Sequence, residues 1–173
     1  KGVKLVTEAN GTAQIELPQK PYAGMNVFVT SEGHVPKVVG WRSSVPELPA
    51  SYRMKVEAGT VVGGMVVDEA QQPVAHARIE FDGPGIDVAK SENIQFGPDT
   101  VQHTDAGGYW SCDMIPANYE TIHVVLSHSD FAATPTNIPV NTPEAVNTVL
   151  VIQRGVRVAG SVEDLNGQPI AGA

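Results

Sequence analysis

The sequence predicts an all-β chain, a tandem run of antiparallel β-sandwich repeats about 96 residues long, and three observations carry that prediction. Valine occurs 25 times against 6 leucines, and with isoleucine and threonine the β-branched residues reach 45 of 173, a composition that favours pleated sheet over helix. Short apolar runs alternate with turn residues drawn from 17 glycines and 13 prolines, and no window of helical length holds a helical period. The chain also matches itself, which organises everything else.

Residues 60–77, TVVGGMVVDEAQQPVAHA, align with 156–173, VRVAGSVEDLNGQPIAGA, at an offset of 96. Gly64 meets Gly160, Asp68 meets Asp164, and Gln72-Pro73 meets Gln168-Pro169. Residues 7–17, TEANGTAQIEL, align with 104–114, TDAGGYWSCDM, at an offset of 97. Three parts follow. Residues 1–58 are the C-terminal part of a preceding β-sandwich repeat, 59–155 a complete one, and 156–173 the first strands of a following one.

Taken in order, the leading part predicts strands near 1–6, 11–17, 25–31, 34–41 and 50–57. The complete copy predicts strands near 60–67, 75–82, 101–104, 108–115, 120–128, 131–138 and 146–153. The stretch 82–102 has little pattern and reads as a loop. Side chains alternate along a strand, so positions apolar in both copies mark the inner face. That test puts Ala13 with Trp110, Ile15 with Cys112, and Leu17 with Met114 inside. It also puts Val27, Val29, Val124, Leu126, Tyr52, Met54, Val56, Leu150 and Ile152 inside, and leaves Tyr109 outside.

Composition excludes several functions. With 11 basic and 19 acidic residues the formal charge is -8, and the basic residues are scattered, which disfavours nucleic acid. No apolar run approaches the roughly 20 residues of a membrane span, and no signal peptide is visible, although a chain starting at Lys1 leaves its address open. The single cysteine, Cys112, lies between apolar positions of a strand and reads as a buried, inert thiol. The five histidines lie in separate elements or, for His123 and His128, at a spacing that puts them on opposite strand faces, so no metal site is expected. Asp164-Leu165-Asn166-Gly167 opens like a calcium loop, but an Asn-Gly hairpin turn accounts for it without an ion. No strained serine elbow is present, and His128-Ser129-Asp130 is contiguous, whereas a triad converges from separate segments. Neither catalysis nor a cofactor is expected.

The stretch Val62, Gly64, Val66, Asp68, Pro73, Ala77, followed by Thr104, Asp105, Ala106, Gly108 and Trp110, resembles a carboxypeptidase regulatory-like domain. That family is similar in fold to transthyretin, an Ig-like sandwich of seven strands. The resemblance covers the complete copy and parts of both flanks. It implies a non-catalytic accessory module of a secreted, periplasmic or membrane-anchored bacterial protein, spacing or docking neighbouring domains or repeats.

Two sets of residues are candidates for binding. Val61, Met65, Val67, Val149 and Val151 point outward by parity, yet the matching flank positions Arg157, Ser161, Glu163, Arg53 and Lys55 are mostly charged. An outer face that is apolar only in the complete copy predicts a covered surface, either under the 82–102 segment or at an interface with a repeat or another protein. Trp41, Tyr109, Tyr119 and Phe96 are the aromatics available to the alternative function, carbohydrate binding, which needs two rings exposed side by side. Finally, the leading part lacks its first two strands and residues 156–173 are those strands from another copy, so the chain is expected either to self-associate by strand complementation or to close its leading part with its own tail if the two ends are near.

Overall fold

The computed structural model describes residues 2–17, 24–42, 48–85, 92–156 and 158–172. Among these residues ten strands run in chain order: β1 (Gly24–Ser31), β2 (His34–Arg42), β3 (Thr60–Val67), β4 (Arg78–Asp82), β5 (Glu92–Ile94), β6 (Gln102–His103), β7 (Tyr109–Ile115), β8 (Thr121–His128), β9 (Phe131–Pro139) and β10 (Thr148–Val151). The only helical pieces among the described residues are single 3₁₀ turns at Pro98–Thr100 and Pro143–Val146. The chain is all-β.

Seven of these strands form two sheets that share one core, an arrangement consistent with a β-sandwich. One sheet has the order β10-β3-β7 and the other β6-β4-β8-β9. Alternation supplies the packing: Val62, Val66, Trp110, Cys112, Met114 and Leu150 come from the first sheet, and Ile79, Phe81, Ile122, Val124, Leu126 and Ile138 from the second. Ile152, just past β10, joins them. The expected inner set of the complete copy is therefore buried, and Tyr109 is outside. Gly64 is required where β3 meets β10, because a Cβ there would lie 1.8 Å from the Thr148 carbonyl oxygen. Thr104 closes the loop before β7, its hydroxyl donating to the Val74 carbonyl (2.7 Å) and accepting from the Ala77 N–H (2.8 Å).

A third sheet, β1-β2-β5, contains the hairpin of the leading part. Its β5 comes from the 82–102 segment expected to be a loop. Three residues joined through the backbone to Lys37–Val39 leave little side-chain pattern for sequence to reveal. Val35, Val38 and Val39 are buried in this sheet, apart from the main core.

The β1–β2 hairpin has the register of the β8–β9 hairpin, residue for residue, at a spacing of 97. Gly24 faces Arg42 as Thr121 faces Pro139, Val29 faces Lys37 as Leu126 faces Thr134, and both ladders slip at the same place, Val29/Ser31 and Leu126/His128. The connection that follows matches too: Val35 N–H donates to the Glu57 carbonyl (3.0 Å) and Ala132 N–H to that of Gln153 (2.9 Å). Turns recur in the same way. Asp68 and Asp164 each accept at Oδ1 from the backbone N–H groups two and four residues on. Val67 then bridges Pro73 as Glu163 bridges Pro169.

Strands expected at 1–6, 11–17 and 50–57 do not form among the described residues; residue 1 lies outside them. The reason is a missing neighbour. In the complete copy the counterparts of 12–17 and 52–55 are β7 and β10, and both pair with β3. Among the described residues β3 pairs with β7 and β10, and the ladder that forms in the leading part is β1–β2. The consequence for burial is direct: Ile15, Leu17 and Tyr52, expected inside, are exposed, and Val27 and Val29 are only half-buried. In the tail, Val158 is 89% exposed where its counterpart Val62 is 0%.

Candidate interaction face

The outer side of the β10-β3-β7 sheet gathers most of the apolar residues singled out by sequence. The two registers align Val149 with Met65 and Met65 with Tyr109, which makes one row straight across three strands. Val149 is 55% and Tyr109 60% exposed, with Met65 half-buried between them. Val61 and Val151 flank the row and are also exposed. At the flank positions matching this row stand Arg53, Ser161 and Thr12. Tyr109, singled out by sequence only as a ring for sugar, is thus part of the apolar face, a placement that needed the strand register.

Val67 corrects the expectation. It is 1% exposed, because it lies between Val151, its parallel partner, and Pro73, which the Asp68 turn folds back against it. The open face therefore ends at Met65 and Val151. The described part of the 82–102 segment leaves the row open: β5 pairs with β2, and Asp99 and Gln102 reach only the Val61 end. Arg157, matched to Val61 by sequence, lies outside the described residues.

Below Val61 the face runs into a cleft of about 690 Å³, lined by Lys4, Glu32, Asp99, Ser111, Asp113 and Met114 among others. Its charge is acidic apart from Lys4, which bonds Asp99 at 3.1 Å with both side chains exposed. Cys112 backs this cleft, and burial pushes its thiol up to about 11, so it stays protonated at neutral pH and is a poor nucleophile. A second cleft of about 460 Å³ is lined by Lys37, Glu57, Glu92 and Tyr119. Partial burial, with the charge of Glu57 adding to it, raises the Tyr119 hydroxyl above its ordinary range. Lys37 meanwhile donates to the Lys55 carbonyl at 2.8 Å.

The aromatic candidates do not converge. Phe96 packs on Phe81 with ring centres 5.6 Å apart, and both it and Tyr119 lean on the core. Trp41 meets Tyr52 edge to face at 89°, which presents no flat double platform. No two of Trp41, Tyr109, Tyr119 and Phe96 stack on each other.

The remaining polar groups have local duties. His128 Nδ1 accepts from the Asp130 N–H at 3.1 Å, closing the β8–β9 turn. The Asp164 carboxylate, held below its ordinary range by the Gln168 and Asn166 N–H groups, shapes its own turn. The Asp68 turn does the same without Asn-Gly, with Gln71 at φ 59 taking the conformation Gly167 takes at φ 78. Among the described residues no three His, Cys, Asp or Glu side chains gather as metal ligands, and no helix is long and apolar enough to cross a membrane. Neither known protein families nor curated proteins give a match to the chain.

Proposed function

We propose that this chain is a non-catalytic structural and interaction module, made of transthyretin-like, Ig-like β-sandwich repeats of the carboxypeptidase regulatory kind. In this reading it belongs to a larger secreted, periplasmic or membrane-anchored bacterial protein and spaces or docks its neighbouring domains. The observation that carries it is the Val149–Met65–Tyr109 row, apolar and open in the complete copy where the flanks hold Arg53, Ser161 and Thr12. Leaving such a row in water has a cost that a covering partner removes, at about 25 cal/mol per Å² of apolar surface buried.

The recurrence of the hairpin register and of the aspartate turns at spacings of 97 and 96 supports tandem copies. A protonated, enclosed Cys112 and a His128 tied to its own turn support a role without chemistry. Methyl NMR tests the docking claim: adding the domains that adjoin this chain in its parent protein shifts the Val149 and Val151 methyls, and Val149→Lys abolishes the shift. Methyls that stay put against every adjoining domain contradict it.

A further inference from the structure

We infer that Asn10 is a site of spontaneous deamidation, its side-chain amide converted to a carboxylate by the chain's own backbone, with Thr12 holding the oxyanion that forms on the way. The docking role plays no part in it.

Asparagine occurs eight times, and the residue after it is glycine only at Asn10-Gly11 and Asn166-Gly167. The backbone nitrogen of that next residue is the nucleophile of the reaction. Glycine leaves it accessible, whereas Val27, Ile94, Tyr119, Ile138, Thr142 and Thr148 crowd it at the other six. Gly11 and Gly167 both stand in open space, with nothing within 4 Å of an added Cβ, and both lie at φ 78.

The two turns are built alike. Glu8 N–H donates to the Thr12 carbonyl (2.8 Å) and Gly11 N–H to the Glu8 carbonyl (2.8 Å). In the same way Asp164 N–H donates to the Gln168 carbonyl (2.8 Å) and Gly167 N–H to that of Asp164 (3.0 Å). They differ in where the last N–H goes. Asp164 takes the Gln168 N–H at its own Oδ1 (2.9 Å). In the other turn the Thr12 N–H donates to Asn10 Oδ1 (2.9 Å), and the Thr12 hydroxyl donates to the same oxygen (2.7 Å). Asn10 Oδ1 thus carries two donors of the kind that stabilise an oxyanion.

The step balances with water as co-reactant. The Gly11 nitrogen gives its proton to solvent base and attacks Asn10 Cγ, and negative charge builds on Oδ1 between the two Thr12 donors. Collapse breaks the Cγ–Nδ2 bond and releases ammonia, leaving a cyclic imide. Water opens that ring at either carbonyl, giving aspartate or isoaspartate at position 10. At Asn166 the same charge develops beside the Asp164 carboxylate, which holds the Asn166 N–H at 2.8 Å.

Incubating the intact folded chain at mildly alkaline pH and following both peptides by mass spectrometry tests it, because each conversion changes the mass of one peptide. Asn10 converts about tenfold faster than Asn166. Thr12→Val removes the hydroxyl donor and slows Asn10 several-fold, whereas Thr12→Ser keeps the donor and the rate; the position lies outside the core cluster. Glu8→Asp supplies a carboxylate of the length that captures the corresponding N–H at Asp68 and Asp164, and it slows Asn10 as well. In urea, where the turns are lost, the two sites convert at similar rates. Equal or faster conversion at Asn166 in the folded chain, any of the three variants departing from its stated effect, or a difference that persists in urea overturns the inference.

Discussion

Burial of the Cys112 thiol, which raises its pKa from 9.0 to about 11, makes folding stability depend on pH in a defined window. The folded state holds the proton more tightly than the unfolded one, so the contribution is complete below pH 9.0 and is lost as pH rises through about 11. The loss amounts to about 2–3 kcal/mol. Urea melts across that range show the fall, and Cys112→Ala flattens it while lowering stability below pH 9.0. Thr104→Val is expected to cost about 2–4 kcal/mol, because the buried Val74 carbonyl and Ala77 N–H both lose their partner. Gly64→Ala forces β10 away from β3 and costs about 3 kcal/mol or more. The first and last of these positions were marked by the sequence, since comparing copies put Cys112 inside and paired Gly64 with Gly160. Thr104 was marked only as part of a motif, because its two bonds join loops about 30 residues apart.

Turns and hairpins were legible wherever both partners of a ladder lie in the chain. Periodicity located β1 to β4 and β6 to β10, and parity located the faces. It failed at residues 12–17 and 52–55, where no ladder forms among the described residues, because strand character depends on a paired neighbour that local pattern does not reveal. It also failed at Val67, where a folded-back turn covers a nominally outward position. The row through Val149, Met65 and Tyr109 was half legible, since its members were named but their alignment needed a register. The two copies of the aspartate turn separate local geometry from tertiary support. Asp68→Ala removes two backbone-capping bonds beside the core and lowers stability by about 1–2 kcal/mol, seen as an earlier unfolding midpoint. Asp164→Ala removes the same bonds from an exposed tail, and the midpoint, followed through Trp110 fluorescence, does not move.

At the scale of the whole molecule, the sheets β10-β3-β7 and β6-β4-β8-β9 share one core, the sheet β1-β2-β5 stands apart from it, and residues 158–172 form only an isolated bridge among the described residues. Matching sequence patterns are therefore buried at Val62, whose strand lies between β7 and β10, and exposed at Val158, which lies in no ladder. The central claim is that residues 12–17 and 52–55, alike in pattern to 109–114 and 148–151, form no ladder where those two segments do. Native-state amide exchange tests it most directly. The account predicts slow exchange in 109–115 and 148–151 and in the β1–β2 hairpin, with 12–17 and 52–55 exchanging almost as fast as an unfolded chain. Protection of 12–17 and 52–55 equal to that of 109–115 and 148–151 would contradict it.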